Sequence, residues 1–145
     1  IVTDANGCTA TDTAVVSQPA SALSDTATKT DVTCFNGTNG TVTANITGGT
    51  FPYTFSWPPG AATTATITGL IAGSYTTIVT DANGCTATDT AVVSQPTNIN
   101  ISMSGQNVSC NGGSNGIASA FVTGGTPGYS YLWSVASQTT SLISN

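Results

Sequence analysis

The sequence predicts an all-β fold made of tandem antiparallel β-sandwich repeats. Three observations favour this fold: a long internal repeat, short segments that alternate apolar and polar residues, and turns rich in Gly, Asn and Pro between those segments. Short strands separated by such turns are typical of β-sandwiches, whereas helical periodicity and helix N-cap sequences are absent from the pattern.

The internal repeat predicts how the chain is organised. Residues 1–19 recur unchanged as residues 78–96, and Cys34–Gly40 is answered by Cys110–Gly116, so the repeat is about 76 residues long. That length suits one small β-domain per repeat better than a unit of a solenoid or propeller. We expect a window of a continuous array: 1–19 as the C-terminal part of one repeat, 20–96 as a complete repeat, and 97–145 as the N-terminal part of the next.

The first three strands of the complete repeat follow from its alternation of side chains. A first strand is expected within residues 23–33. Residues 41–47 alternate Val, Ala and Ile with Thr and Asn, which predicts one buried and one solvated face. Tyr53, Phe55 and Trp57 share one face of the next strand, and Tyr129, Tyr131 and Trp133 replace them one repeat later.

The remaining strands are bounded by turn residues. A short strand is expected near residues 65–68, a longer one over 74–81 and a last one over 86–94. Asn83-Gly84 supplies the positive backbone angles of a tight hairpin between the last two strands, and Pro96 closes the unit.

The composition excludes several classes of function. Only 5% of the residues are charged, with one Lys or Arg, six acidic residues, no His and a net charge of -5. A nucleic-acid surface needs clustered cations, so nucleic acid is excluded as a partner. The absence of His and the lack of catalytic spacing among the Asp residues predict no enzyme and no cofactor. No apolar run approaches the ~20 residues of a membrane span, so we expect no direct membrane insertion.

The order and spacing of the motifs resemble a known family. These motifs are C-x-x-G-x-x-G from Cys34, G-G-T-x-x-Y-x-[FY]-x-W from Gly48, and G-x-Y-x-x-x-V-T-D-A-N-G-C from Gly73, closed by Gln95-Pro96. They resemble the SprB-type repeat of gliding-motility adhesins from Bacteroidetes. The resemblance implies immunoglobulin/PKD-like sandwiches in very large surface proteins, exported by the type IX secretion system and assembled into a filament that grips the substratum.

The aromatic residues are expected in the core. A Trp on a central strand commonly fills the core of a sandwich, and its alignment with Tyr53 and Phe55 favours that role over a sugar-binding platform. The predicted core aromatics are Tyr53, Phe55, Trp57, Tyr75, Tyr129, Tyr131 and Trp133.

Two cysteines recur in each repeat, which indicates an oxidising, extracellular setting in a chain of this composition. Cys34 and Cys85 form the one pairing that lies wholly inside the complete repeat, and we predict this disulfide. If the first strand runs the full length of the domain, however, these residues lie at opposite poles. Cys34 would then reach the hairpin Cys of the following repeat. Free thiols are the third alternative.

Two further motifs have a functional and a structural interpretation. The Asp-Ala-Asn-Gly segments at Asp4 and Asp81 offer calcium-type oxygens but lack further acidic ligands, so a turn capped by its own Asp is the better interpretation. Three Asp-Thr-Ala segments resemble the D-[ST]-[small or apolar] sites of bacterial O-glycosylation, although a hydroxyl on a strand face is the alternative. The candidate glycosylation residues are Thr13, Thr26 and Thr90.

Together these features predict a non-enzymatic, structural or adhesive repeat segment of a large secreted adhesin filament. We expect it on the bacterial cell surface, where it supports gliding motility and attachment. Its expected partners are neighbouring repeats of the same chain, extracellular surfaces or polysaccharides, and laterally associated copies. The alternative function is a carbohydrate-binding module array, which requires an exposed aromatic platform.

Overall fold

The structure is a computed structural model that describes residues 1–134 and 138–144. Eleven strands lie in this part of the chain, and it contains no helix. They are β1 (Val2–Thr3), β2 (Thr9–Ala10), β3 (Ser24–Thr30), β4 (Gly40–Thr47), β5 (Thr54–Ser56), β6 (Thr66–Leu70), β7 (Gly73–Thr80), β8 (Thr86–Val93), β9 (Asn100–Gln106), β10 (Ile117–Thr123) and β11 (Leu142–Ser144). The predicted all-β, antiparallel fold is confirmed.

Residues 20–96 form two three-stranded antiparallel sheets, with strand orders β3-β4-β6 and β5-β7-β8. The pairing of β3 with β4 runs from Ser24↔Thr47 to Thr30↔Thr41, and that of β7 with β8 from Gly73↔Val93 to Thr80↔Thr86. The predicted hairpin at Asn83-Gly84 joins β7 to β8, with Gly84 at a positive φ of 84°. All six strands expected in this repeat are present within about two residues of their predicted bounds.

The core lies between the two sheets, where alternate residues point inward. Its buried members come from both sheets and from the segment after β3: Val32, Val42, Ala44, Trp57, Val79, Ala91 and Val93. Because most of these residues are small, each of the two sheets must supply side chains at close spacing to exclude water.

The sheet of residues 97–144 repeats half of this sandwich. Its strand order is β11-β10-β9, and Met103↔Ala120 takes the place of Ala27↔Ala44. Residues 130–132 correspond to β5 but form no strand. The reason is that β5 is held by pairing with β7, and no β7 equivalent accompanies these residues in the described chain. Residues 135–137 and Asn145 of the predicted third unit lie outside the described residues.

Residues 1–19 have the same sequence as residues 78–96 but less regular structure. They form the hairpin of β1 and β2, which pairs Val2↔Ala10 and Thr3↔Thr9, and residues 11–19 are exposed and without strand pairing. None of residues 1–134 and 138–144 forms a helix capable of crossing a membrane.

Candidate functional site at the junction between repeats

The complete repeat has two poles that face its neighbours along the chain. At the hairpin pole, the Asp81–Cys85 turn lies beside residues 21–23. At the loop pole, the 33–37 loop lies beside the end of β8, where the Val32 amide donates to Ser94 O (3.1 Å) and the Asn36 amide to Gln95 Oε1 (2.9 Å). β8 runs from one pole to the other and spans about 24 Å at about 3.4 Å per residue.

Asp81 organises the hairpin pole. Its Oδ1 accepts hydrogen bonds from the amides of Asn83 and Cys85, and its Oδ2 accepts one from the amide of Thr50, all at 2.9 Å. Burial of this carboxylate raises its pKa, but the three amide donors together outweigh burial and hold the pKa of Asp81 below its ordinary value. The predicted role of Asp81 as a turn cap matches these contacts. Its oxygens are occupied by the backbone.

Two glycines let the chain enter the repeat beside this hairpin. The Gly49 amide donates to Ser21 O at 3.1 Å, and Gly48 has a positive φ of 68°. A Cβ on Gly48 would lie 2.1 Å from Ala22 O, so only glycine allows residues 21–23 to pass this close. The third repeat keeps the arrangement, because the Gly125 amide donates to Thr97 O at 2.9 Å.

Four aromatic residues of the complete repeat lie in or against the core, whereas Phe35 and Phe51 are 44% and 78% exposed. Trp57 is 3% exposed and its Nε1 donates to Thr64 O at 2.9 Å. Tyr53, Phe55 and Tyr75 pack against the core cluster, and Tyr53 donates its hydroxyl to Gly48 O at 2.7 Å. Trp57 and the three aromatics around it are therefore not displayed as a sugar-binding platform, and the exposed aromatics of the complete repeat are the loop residues Phe35 and Phe51.

The aromatics of the third repeat make equivalent hydrogen bonds but are half-buried. The hydroxyl of Tyr129 donates to Gly124 O, and Nε1 of Trp133 donates to Thr140 O at 2.8 Å. Tyr131 is also half-buried. All three line an open groove with Ile101 and Met103.

An open cavity lies on the chain path at each pole of the complete repeat. The cavity at the hairpin pole is lined by residues 18–23, Gly49, Asp81 and Cys85. The cavity at the loop pole is lined by residues 33–35, residues 96–99, Gly125 and Thr126. The wall made by residues 97–99 and Gly125 is the third repeat's counterpart of the wall made by residues 21–23 and Gly49. Both cavities therefore lie at junctions between repeats: one where the chain enters the complete repeat, and the other where the chain leaves it.

The four cysteines are free and exposed, and two of them line these junction cavities. Cys85 is at the hairpin pole and Cys34 at the loop pole, at opposite ends of β8. A disulfide needs α-carbons within about 7 Å, far less than the length of β8. The predicted Cys34–Cys85 bond is therefore not formed in this structure.

The candidate glycosylation threonines are exposed. Thr26 lies on β3 and Thr90 on β8, where its hydroxyl is 2.8 Å from that of Thr76, and Thr13 lies in the unpaired part of residues 1–19. Exposure of all three residues to solvent is what a glycan acceptor requires.

Sequence reasoning missed the part that the Asp residues play between the sheets. The Asp89 carboxylate on β8 accepts hydrogen bonds from the amides of Ala27 and Thr90, both at 2.7 Å, and these two donors lower its pKa. Asp31 accepts a hydrogen bond from the Ser94 amide and forms an ion pair with Lys29 at 2.6 Å. The sequence signal was the placement of Asp89 within a Thr-rich strand of a chain that has only six acidic residues.

These features define the class of protein: a small structural β-sandwich repeated in tandem, with the repeats in contact at their poles. Among the described residues, no group of three or more metal-ligating side chains is placed to hold an ion.

The SprB repeat family model matches residues 26–62 and 103–137, at equivalent places in two successive repeats. The chain therefore contains SprB repeats, as its motifs predicted. SprB repeats are structural repeats of cell-surface adhesins and not an enzyme family. No curated protein and no solved structure matches the chain significantly.

Proposed function

We propose that this chain is a structural segment of a secreted adhesin filament on the bacterial cell surface, and that the filament supports gliding motility and attachment. The observation that carries the proposal is the SprB match in two successive repeats whose poles touch. The repeats act as non-catalytic spacers that extend the filament outward from the cell.

The short connection between repeats supports a spacer role. β8 ends at Val93 and β9 begins at Asn100, and residues 96–99 already line a cavity with the 33–35 loop of the preceding repeat. A connection this short, with Pro96 inside it, restricts the angles that successive repeats can adopt. Tension applied to one repeat therefore passes directly to the next.

The surface chemistry supports adhesion through many weak contacts. With 5% charged residues, the exposed strand faces present mainly Thr, Ser and Asn to solvent. Such a surface suits extracellular surfaces or polysaccharides, and the many copies in an array add their weak affinities together. O-glycans at Thr13, Thr26 and Thr90 would extend the same hydroxyl-rich surface.

Antibodies against residues 20–96 test the proposal on intact cells of the bacterium that makes this protein. We expect immunogold label on filaments outside the outer membrane, and we expect Fab fragments of the same antibodies to reduce attachment to glass. Label that appears only after the cells are permeabilised would contradict a surface role. Surface label without any loss of attachment would leave the spacer role standing but would contradict adhesion through this segment.

A further inference from the structure

The sheet of the third repeat carries apolar side chains on its outward-facing side. Ala120 of β10 points inward, like its counterpart Ala44 in the core of the complete repeat. Because side chains alternate along a strand, Ile117 and Phe121 of β10 have the same parity as each other but not as Ala120, and they point outward. Ile117, Phe121 and Leu142 of β11 are 37%, 66% and 51% exposed, and we call these three residues the apolar patch.

The three residues of the apolar patch are neighbours across two strands. Leu142 pairs with Ser119, so both side chains lie on the same side of the sheet. Ile117 and Phe121 lie two residues to either side of Ser119, and such diagonal neighbours are about 7–8 Å apart, within reach of aromatic and long aliphatic side chains. The patch is therefore one continuous apolar area and not three isolated residues.

The same side of the complete repeat is polar and faces solvent. The counterparts of the apolar patch in that repeat are Thr41, Asn45 and Thr66. Asn45 and Thr66 are exposed, although both sheets of that sandwich are present and residues 20–96 are all described. A completed repeat thus leaves its outward side free, so the exposure of the apolar patch does not depend on what covers the inward side.

The surroundings of the apolar patch are uncharged. Residues 97–145 contain no charged residue, since the single Lys and all six Asp lie within residues 1–96. Next to Phe121, the outward side carries Ser102, Ser119 and Thr123, whose hydroxyls can each donate and accept a hydrogen bond. Two identical faces of this kind meet without like-charge repulsion, and each hydroxyl can find a donor or an acceptor opposite it. The face is complementary to itself, which favours a second copy as its occupant.

We propose that the apolar patch binds the apolar patch of a second copy of this chain. The outward sides of two β11-β10-β9 sheets stack face to face, with Ile117, Phe121 and Leu142 of both copies in the centre and hydroxyl side chains around them. The two copies are related by a two-fold axis, because the same surface serves on both partners. The contact lies on the side of the repeat, away from its poles, so it joins two filaments laterally. This lateral association goes beyond the spacer role and requires no adhesion to another surface.

The size of the face predicts that one such contact is weak. Three strands at their ordinary spacing and a seven-residue β10 give a face of roughly 14 Å by roughly 24 Å on each partner. A stable complex buries about 800 Å² per partner, more than twice this area. A single contact therefore forms and breaks readily, with a dissociation constant that we expect near about 1 mM. Between two aligned filaments, one contact raises the effective concentration for the next, and the association becomes stable.

NMR spectra at increasing concentration test the contact on the reduced 145-residue chain. We expect the amide signals of Ser102, Ser119, Phe121 and Leu142 to shift progressively between about 0.05 and about 1 mM, while translational diffusion slows over the same range. Phe121→Asn introduces the residue that the complete repeat has at this position. It should weaken the association roughly tenfold or more, because it removes the largest apolar side chain of the patch.

Two further variants make the test specific. Phe51 is 78% exposed in a loop of the complete repeat, so Phe51→Asn removes an exposed phenylalanine away from the apolar patch. This matched control should leave the concentration dependence nearly unchanged. Leu142→Thr introduces the residue of the complete repeat at a second position of the patch, and it should weaken the association as Phe121→Asn does.

Several results would overturn the proposal. They include spectra that do not change up to about 1 mM, shifts confined to the inward-facing Ile101, Met103 and Val122, and equal effects of Phe121→Asn and Phe51→Asn. Shifts at the apolar patch that appear only when dextran, an uncharged polysaccharide, is added to a monomeric chain would also overturn it, because the patch would then be a sugar site. None of these results depends on labelling or attachment of cells, so lateral association and the surface role can fail independently.

Discussion

Asp89 on β8 and Ala27 on β3 join the two sheets of the complete repeat through a single 2.7 Å hydrogen bond from amide to carboxylate. The two strands belong to different sheets and do not pair with each other, so this bond connects the sheets along one side of the sandwich. A carboxylate can accept the Ala27 and Thr90 amides at the same time, which explains an Asp in the middle of a Thr-rich strand.

Asp89→Asn should destabilise the complete repeat. The amide side chain keeps one accepting oxygen and presents N–H to the other backbone donor, so one of the two bonds is lost. We expect the melting temperature to fall by several degrees at neutral pH. Asp12→Asn is the matched control, since Asp12 has the same sequence neighbours but accepts only the Thr13 amide in the unpaired segment. An equal fall for both variants would contradict the bridging role.

The pKa shifts of the acidic residues predict how stability depends on pH. The pKa values of Asp31, Asp81 and Asp89 are lowered in the folded state, so their contribution is present above an unfolded value near 3.8 and lost as pH falls through their folded values. The pKa of Asp25 is raised, by burial and then by the charge of Asp89, and its protonation favours the fold. We expect stability to change little from pH 7 to about 5 and to fall steeply below about pH 4 in urea titrations. A steady fall from pH 7 would contradict this assignment.

The two copies of the 19-residue segment indicate how far local sequence determines this fold. Both copies form the same Asp-Ala-Asn-Gly hairpin, with the Asp accepting amides two and four residues later, so the turn follows from local sequence alone. Only residues 78–96 continue into an eight-residue strand, because β8 pairs with β7 and packs on the core. Alternation therefore predicted which residues can form a strand, and neighbouring strands decide whether they do.

The pairing of the cysteines is a feature that the sequence alone did not resolve. Counting within the repeat favoured Cys34 with Cys85, whereas the structure places the two residues at opposite ends of β8. The doubt raised from the length of the first strand agrees with this placement, since Cys85 and Cys34 line cavities at the two poles. The contacts of Asp89 and Asp31 could not be predicted either, because hydrogen bonds between sheets leave no periodic pattern.

Val93 and Val92 test the packing of β8. Val93 is buried in the core and Val92 points to solvent, so Val93→Ala should lower the free energy of unfolding by about 2 kcal/mol and Val92→Ala by less than about 0.5 kcal/mol. Urea denaturation followed by Trp fluorescence measures both. Similar losses for the two variants would mean that β8 does not bury this face.

Two glycines of positive φ separate backbone strain from steric clash. Gly84, in the hairpin, has a φ of 84° and no atom within 4 Å of an added Cβ, whereas a Cβ on Gly48 would meet Ala22 O at 2.1 Å. Gly84→Ala should cost about 1 kcal/mol from backbone strain alone. Gly48→Ala should cost at least about 2 kcal/mol more, because residues 21–23 must move away. Equal losses in urea denaturation would show that the entry segment is not held in place.

The two tryptophans test whether the sandwich core depends on both sheets. Trp57 is packed between sheets, so Trp57→Ala should lower the free energy of unfolding of the complete repeat by about 3–5 kcal/mol. Trp133 keeps the same kind of Nε1 hydrogen bond, to Thr140 O, but only one sheet lies beside it, so Trp133→Ala should leave the main unfolding transition within about 0.5 kcal/mol of wild type. Each variant retains one Trp, and its fluorescence reports on one repeat at a time. A large loss from Trp133→Ala in the transition reported by Trp57 would mean that the third repeat stabilises the second, contrary to a core completed within residues 20–96.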